Sequence, residues 1–564
     1  MLRNIGARNA ALAAGTVLLL LAAATAARIV VDKSGAVAND EATQAAHADP
    51  VWALRSLDRK LVARLRRGHH PVRSEDITLV PREPNFIGSF TLTSHSGPWD
   101  YLQNIPLVLY GPHYIAASQR PLVESVNVTD VYPTVAELLD LELDPRDGKV
   151  LTAALPGKRP GPPRLVVVVV WDGVGRNTLE RWPDSWPNLQ RLEREGTSYA
   201  GALVGSSPSI TSVVHSSLGT GAWPRHHGIS GNHLRGRNGR LRGAFAGRTG
   251  DDLELSTFAD QADLAFGNAS KVGLLAWKQW HLAMMGHGRS GSGGDPDEVA
   301  LIHYDDGIKV TGNNELYSTP SGLRHASNIQ DHLGRLDHAD GRVDGRWRGH
   351  DITVGGEKAA WNTYSNPAWA RFQGDLSLAM LERGDYGEDA VPDFFFVNFK
   401  MTDLAGHQWG MDSPETADVL RAQDAELGRL LRYLDREVGE YVAIVTSDHG
   451  HAPAPTRSGA WPIDQTELIA DIDRRFSTPA GSSLVKASAA YGLYLNRPLL
   501  EELYVTKRQI SAFINAYTVA QNWPQGELPE GYEQRGSERV FSAAFPSALL
   551  EEVTPAPRQR APGG

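Results

Sequence analysis

LVVVVVWDG, residues 165–173, decides the fold. Five consecutive valines between Leu165 and Trp171 leave no polar face, so this run predicts a strand covered on both sides, at the centre of a parallel sheet. Asp172-Gly173 closes it. A carboxylate at the carboxyl end of such a strand faces the crevice where α/β proteins bind ligands, and Gly173 allows the sharp turn away. Two further apolar runs end the same way: Phe394 to Phe399 before Asp403, and Tyr441 to Thr446 before Asp448. The expectation is an α/β chain built on a mostly parallel central sheet, with helices on both faces and chemistry at one end of the strands.

Composition is compatible with that. A chain of 564 residues with 41% hydrophobic content can bury one large α/β core with insertions. The balance of 56 basic against 66 acidic residues, net −10, argues against a nucleic-acid polymer or an anionic membrane as the general partner, while leaving single phosphate groups open. Arg3 and Arg8 precede an Ala- and Leu-rich run from Ala10 to Ala27, closed by Arg28. Residues 1–30 therefore read as an export signal or membrane anchor, placing the body outside the cytoplasm, secreted or anchored by its N-terminus. The absence of cysteine excludes disulfides and thiol chemistry.

Apolar positions Val51, Leu54, Leu57, Leu61 and Leu65 predict a helix over 47–67 whose Lys60, Arg64, Arg66 and Arg67 form a solvated basic face. Strands are expected at Ile77–Val80, Gly88–Leu92 and Ile105–Tyr110, then a helix from Pro133 to Leu141. Prolines 156, 160, 162 and 163 mark 142–163 as an exposed linker. The catalytic core is expected over 164–232 and 391–550, with 233–390 as an inserted cap that selects substrate and 551–564 as a disordered tail.

The chemistry-bearing residues fall in three motifs. Ser207 to Ile229 packs hydroxyls around Thr211, where a helix starts; its free N–H groups, Ser212's among them, favour an anion and make Thr211 a candidate for attack on phosphate. Met401-Thr402-Asp403-Leu404-Ala405-Gly406-His407 sets a carboxylate and an imidazole four residues apart, and Asp448-His449 sets another pair after a strand.

The order Asp-Gly, Thr, Asp-x-x-x-His, Asp-His-Gly resembles the alkaline phosphatase superfamily, most closely its type I phosphodiesterase and nucleotide pyrophosphatase branch, over about 165–232 and 392–451. The resemblance implies two zinc ions, with manganese or iron as alternatives that the donor types also accept. By motif, Asp172, Thr211, Asp448 and His449 would bind one ion, and Asp403 and His407 the other. The family completes the second set with a histidine near its C-terminal end, but no histidine follows His451 here. Residues 75–141, with TSHSGPWDYLQNIPLVLYGP from Thr93 and TDVYPTVAELLDL from Thr129, look like that closing segment moved to the front. The chain is thus read as circularly permuted, with His95 as the missing ligand; His451 and His287 are the alternatives.

On this resemblance the chain is a phosphodiesterase acting through Thr211 on a phosphorylated small molecule or lipid, such a metal pair activating the hydroxyl and stabilising the departing oxygen. Phosphomonoester hydrolysis and phosphoethanolamine-type transfer are rivals, and a noncatalytic metal-binding envelope protein is the reading from another class. Lys278 is a candidate phosphate contact, and Trp277, Trp280 and Trp361 are candidate stacking surfaces. Val214 stands where related nucleotide pyrophosphatases often have asparagine, which weakens a nucleotide assignment. The oligomeric state is left open.

Overall fold

The structure is a computed structural model that describes residues 48–553 apart from 89–92, 292, 304–308, 313 and 354–362. The expected signal or anchor, most of the expected tail, part of the expected strand Gly88–Leu92, and Trp361 lie outside the described residues. Among the described residues no helix is long and apolar enough to cross a membrane.

The strands that matter are β1 (Ile77–Pro81), β2 (Leu107–Tyr110), β3 (Leu122–Asn127), β4 (Leu165–Trp171), β5 (Thr197–Leu203), β6 (Val272–Ala276), β7 (Asp297–His303), β8 (Lys309–Thr311), β9 (Asp393–Phe399), β10 (Tyr441–Thr446), β11 (Val485–Ala489), β12 (Gly492–Leu495) and β13 (Phe541–Pro546). The main sheet runs β8-β7-β6-β9-β4-β10-β2-β5-β3, with Tyr317–Ser318 also pairing with β7. The block β7-β6-β9-β4-β10 is parallel throughout, whereas β2 is antiparallel to both its neighbours. The fold is therefore α/β with a mostly parallel central sheet.

The valine run behaves as its composition dictates. Val166, Val168 and Val170 enter one core, while Leu165, Val167, Val169 and Trp171 enter the other. The helix α1 (Thr211–Thr220) covers the first face through Val214 and Leu218; α2 (Pro367–Arg383), carrying Leu376 and Met380, and α4 (Pro414–Tyr433), carrying Leu420 and Leu427, cover the second. Between them comes α3 (Met401–Trp409), directly after β9. Each fully buried aliphatic side chain contributes about 1.5–3 kcal/mol of transfer free energy, so a strand buried on both faces anchors the sheet.

A second, smaller sheet, β11-β12-β1-β13, is antiparallel and has its own core around Ile77, Leu493, Ile510 and Phe541. It unites a strand from ahead of the main sheet with strands from the end of the chain. The helix α5 (Gln465–Arg475), capped by Asp464, packs into that same core through Leu468 and Ile472.

Three expectations are corrected. Residues 233–390 supply β6, β7 and β8 to the main sheet and are not simply a cap laid over the site. The helix expected over 47–67 is two helices, Pro50–Ser56 and Arg59–Gly68, because Asp58 caps the second by accepting from the Lys60 N–H. Its basic face is not solvated throughout: Arg64 is buried, donating to the Pro98 carbonyl and pairing with Asp100 at 2.7 Å, and Arg66 and Arg67 donate to backbone carbonyls.

Candidate metal centre and active site

Adjacency in the sheet builds the site. β9, β4 and β10 lie side by side in parallel, with Phe399 opposite Trp171 and Thr446 opposite Val170. Their carboxyl ends therefore deliver Asp403, Asp172 and Asp448 to one crevice. Asp172, Asp403, Asp448, His449 and Thr211 are all buried. The His449 Nε2 lies 3.4 Å from Asp448 Oδ2 and 3.7 Å from Asp172 Oδ1. Ligands at ~2.1 Å around a tetrahedral ion stand about 3.4 Å apart, so this spacing suits zinc. Asp448 Oδ2 and His449 Nε2 have no hydrogen-bond partner although both are buried, a costly state that a bound cation would relieve.

The second group forms on one atom. Asp403 Oδ1 has three imidazole Nε2 atoms around it: His451 at 3.0 Å, His407 at 3.3 Å and His95 at 3.6 Å. Groups able to hold an ion are thus Asp172 with Asp448 and His449, Asp403 with His407 and His451, and Asp403 with His95 and His449. Asp172 also faces His215 and His281 at ligand spacing.

The two candidate histidines differ in how they are held. The Nδ1 of His95 lies 3.1 Å from the Ser209 carbonyl, that of His407 3.1 Å from the Thr93 carbonyl, and that of His449 3.3 Å from the Gly450 carbonyl. Donation to a carbonyl fixes the tautomer and leaves Nε2 with its lone pair toward the centre, the usual arrangement of a metal-ligating histidine. His451 lacks that tether; its Nδ1 is unpartnered while its Nε2 touches Asp403. It stands behind Asp403, where a Cβ on Gly173 or Gly406 would fall 3.0 or 2.8 Å from its Nε2.

Three carboxylates in one dry crevice need positive charge. Burial, with Asp448 alongside, raises Asp172 above the usual carboxylate range, and burial pushes Asp448 up to about 6. Burial acts on Asp403 too, but Lys400 and His407 hold it well below. Burial also lowers His95 and His449 far enough to keep both neutral, as ligands must be. Among the described residues the one ammonium paired with these carboxylates is Lys400, whose Nζ lies 2.7 Å from Asp172 Oδ1, 2.8 Å from Asp403 Oδ2 and 3.1 Å from Thr211 Oγ1.

Lys400 is absent from the sequence-based candidates, although a lysine directly after a fully buried strand and three residues before Asp403 was a readable sign. His215, one helical turn after Thr211, was another: its Nδ1 lies 2.7 Å from the Thr211 carbonyl, and its Nε2 meets the Asn398 amide, which also donates to Asp172. Among the predicted residues, Ser212 is buried and donates to Asn232 Oδ1 at 2.8 Å. Lys278 lies over the Trp280 ring, its charge felt at the buried His281. Trp277 is core, its indole N–H bonded to Gln373, and so offers no stacking surface. His287 pairs with Asp260 at 2.9 Å and belongs to none of the metal-competent groups.

Over this centre opens a cavity of about 330 Å³ lined by His95, His407, Asn232, Gln465, Ile469 and Ser488 among others. Among the described residues no lysine or arginine lines it. Its far wall comes from α5 and β11, so the strip beyond the metal centre, rather than residues 233–390, shapes this cavity.

The sequence matches the type I phosphodiesterase/nucleotide pyrophosphatase family over residues 166–503, and the chain belongs to that family. It is accordingly a phosphoric ester hydrolase of the alkaline phosphatase superfamily. Among similar proteins are the "calcium-transporting ATPase" of Myroides odoratus, 25% identical over 64% of this chain and 74% of that one, and alkaline phosphatase PafA of Elizabethkingia meningoseptica, 22% identical over 60% and 70%. A solved structure of alkaline phosphatase PafA covers 72% of this chain and 85% of its own at 17% identity, with a TM-score of 0.47.

Proposed function

We propose that the protein is a two-metal phosphodiesterase that uses Thr211 as its nucleophile, with Asp172, Asp448 and His449 holding one ion and Asp403, His407 and His95 the other. The observation that carries this is that Lys400 Nζ touches the buried Thr211 hydroxyl at a helix start, Asp172 of one ligand group and Asp403 of the other, so all three meet at one point. In this reading the family's closing segment precedes its core, so that the chain order is permuted and His95 does the work of a histidine otherwise encoded late. The donor set of carboxylates and neutral imidazoles favours zinc, and manganese or iron would also fit it. When bound, such ions supply Lewis acidity that lowers the nucleophile's pKa and offsets charge on the departing oxygen.

The chain's own groups do the rest. Thr211 opens α1, and Ile210 before it makes no side-chain cap, so the first-turn N–H groups are left for a phosphate oxygen. Lys400, held protonated by the carboxylates around it despite its burial, donates toward Thr211 Oγ1 and favours that oxygen as an alkoxide. Attack by Oγ1 on phosphorus forms the Thr211 phosphoester as the P–O bond to one alcohol breaks, that alcohol leaving with the proton Thr211 gives up; water then adds to phosphorus, a proton returns to Oγ1 and the phosphate monoester of the other alcohol leaves. His451 holds Asp403 in place through its hydrogen bond.

Diesters are favoured by the cavity. A dianionic monoester calls for an added cation beside its third oxygen, whereas the 330 Å³ space over the centre is lined by neutral and apolar groups such as Ile469, Gln465 and Ser488. Resemblance to proteins named alkaline phosphatases keeps monoester hydrolysis as the second reading. The test is kcat/KM on bis(p-nitrophenyl) phosphate against p-nitrophenyl phosphate, with Thr211→Ala as control. Faster diester turnover, abolished in the variant, supports the proposal; faster monoester turnover replaces it with the second reading; no turnover of either while the protein binds two ions favours the noncatalytic one. The substrate is taken to be a phosphorylated small molecule or lipid.

A further inference from the structure

A second pocket, of about 590 Å³, lies between the hairpin His233–Arg235/Leu241–Gly243 and the edge of the small sheet. Its charged lining is entirely cationic: Arg235, Arg240, Lys486 and Arg497. In a chain of net charge −10 that concentration is unusual. Behind it sits Asp76, whose side chain is fully buried and which pairs with Arg235, with Arg497 at 2.8 Å and with Lys507 at 2.7 Å. One carboxylate offsets one of three cations. Two positive charges remain from that group, and Arg240 and Lys486 are exposed with no carboxylate partner among the described residues.

Two stretches of backbone join this pocket to the cavity over the metal centre. Asn232 lines the cavity, and the strand that starts one residue later carries Arg235 into the basic pocket. On the other side Ser488 lines the cavity and Lys486, two residues back on β11, lines the pocket. At a strand rise of ~3.3 Å per residue the adjoining linings of the two pockets come within roughly 7–10 Å of each other. The pairing of β11 with β12 shifts register between Val485 and Ala487, a bulge at Lys486 of the kind that re-aims a side chain. Tyr494 ties the two stretches together, its hydroxyl donating to the His233 carbonyl at 2.7 Å.

We propose that this pocket is a substrate subsite for a second anionic group, so that the preferred substrates are phosphodiesters carrying another phosphate or carboxylate remote from the scissile phosphorus. The inference rests on the phosphodiesterase reading and narrows its substrate class. It also divides the labour in the enzyme: the uncharged cavity takes the diester, and the cations that it lacks stand one subsite further on, where they add affinity through charge-assisted contacts.

Matched substrates test it. NADP+ and NAD+, or coenzyme A and dephospho-coenzyme A, differ by one phosphate remote from the pyrophosphate bond. The wild type should cleave the phosphorylated member of each pair with a kcat/KM roughly tenfold higher, an advantage that shrinks with added salt. The double variant Arg240→Glu/Lys486→Glu, altered only at exposed positions outside the reaction centre, should lose the advantage while hydrolysing bis(p-nitrophenyl) phosphate at the wild-type rate. Equal kcat/KM within each pair in the wild type, or an advantage unchanged in the variant, overturns the subsite. Loss of all turnover in the wild type would instead overturn the hydrolase reading. The subsite is then still decided by the affinity for inorganic tripolyphosphate, which must fall about tenfold in the double variant and which overturns the proposal if it does not.

Discussion

The rings of His95 and His449 stack with centroids 3.5 Å apart and planes 7° from parallel, and each is tethered through Nδ1 to a backbone carbonyl. One belongs to a loop ahead of the main sheet and the other to the end of its central block. Their contact brings members of both proposed ligand sets together, and both stand at ligand spacing with Asp403.

His95→Ala should reduce bound metal from two ions per chain to one and cut diester turnover severely. His451→Ala removes a group that supports Asp403, and a loss of about 10–100-fold in metal affinity is expected with both sites still filling at excess metal. Elemental analysis of the two variants, dialysed against a range of zinc concentrations, separates them. The reverse order would make His451 the ligand.

Thr211→Ala should lower kcat by about 10³-fold or more while leaving both metals bound, whereas Thr211→Ser keeps a hydroxyl in place and retains measurable turnover. A quench of the wild-type diester reaction in acid should trap on Thr211 a phosphoryl group still bearing its second alcohol, read by mass spectrometry, and none in the alanine variant.

Lys400→Met leaves three buried carboxylates without their ammonium. In chelator-treated protein this should cost about 3–5 kcal/mol, the penalty for removing one partner of a buried ion pair. With metal restored the loss should be much smaller, because the ions offset the same carboxylates. Denaturant titrations of both proteins with and without zinc give the comparison.

Chelation should itself destabilise the wild type. Ligands that bind only the folded state at 1,000 times their Kd add about 4 kcal/mol each, so treatment with EDTA should lower the midpoint of thermal unfolding by several degrees and abolish turnover, and zinc should restore both.

Glu75 gives a pH signature away from the centre. Burial pushes its carboxyl up to about 7 from 4.5, with the Thr78 hydroxyl donating to it at 3.1 Å. The folded state then holds a proton that the unfolded state has released, so stability falls as pH rises from about 4.5 to about 7. Glu75→Gln should remove that part of the slope and be more stable than the wild type at pH 8, with little difference at pH 4. Thermal midpoints at the two pH values decide it.

The parallel block was legible because its evidence is local. Val166 to Val170 can only be a strand with two dry faces, and Asp172, Asp403 and Asp448 each follow such a run. The helix start at Thr211 and the pairing of Asp403 with His407 were legible for the same reason, since their spacing is set within one turn. Residues 233–390 were harder: β6 spans only Val272–Ala276 and β7 follows the Gly-rich stretch 286–294, so their place in the main sheet leaves little local trace. The solvated face expected for Arg64, Arg66 and Arg67 was overturned because carbonyls of Pro98, Leu550 and Gly205 reach them from distant segments.

By itself the sequence determined the class of fold, the end of the sheet that carries the chemistry and six of the groups gathered there (Asp172, Thr211, Asp403, His407, Asp448 and His449), because strand burial and carboxyl-end placement follow from residues near one another in the chain. Only the tertiary structure decided that β9, β4 and β10 are neighbours, that His95, His451 and Lys400 all reach Asp403, and that a basic pocket opens beside an uncharged cavity. Those relations are set by strand order and by the meeting of two sheets, which bring together side chains whose linear separation carries no periodicity to read.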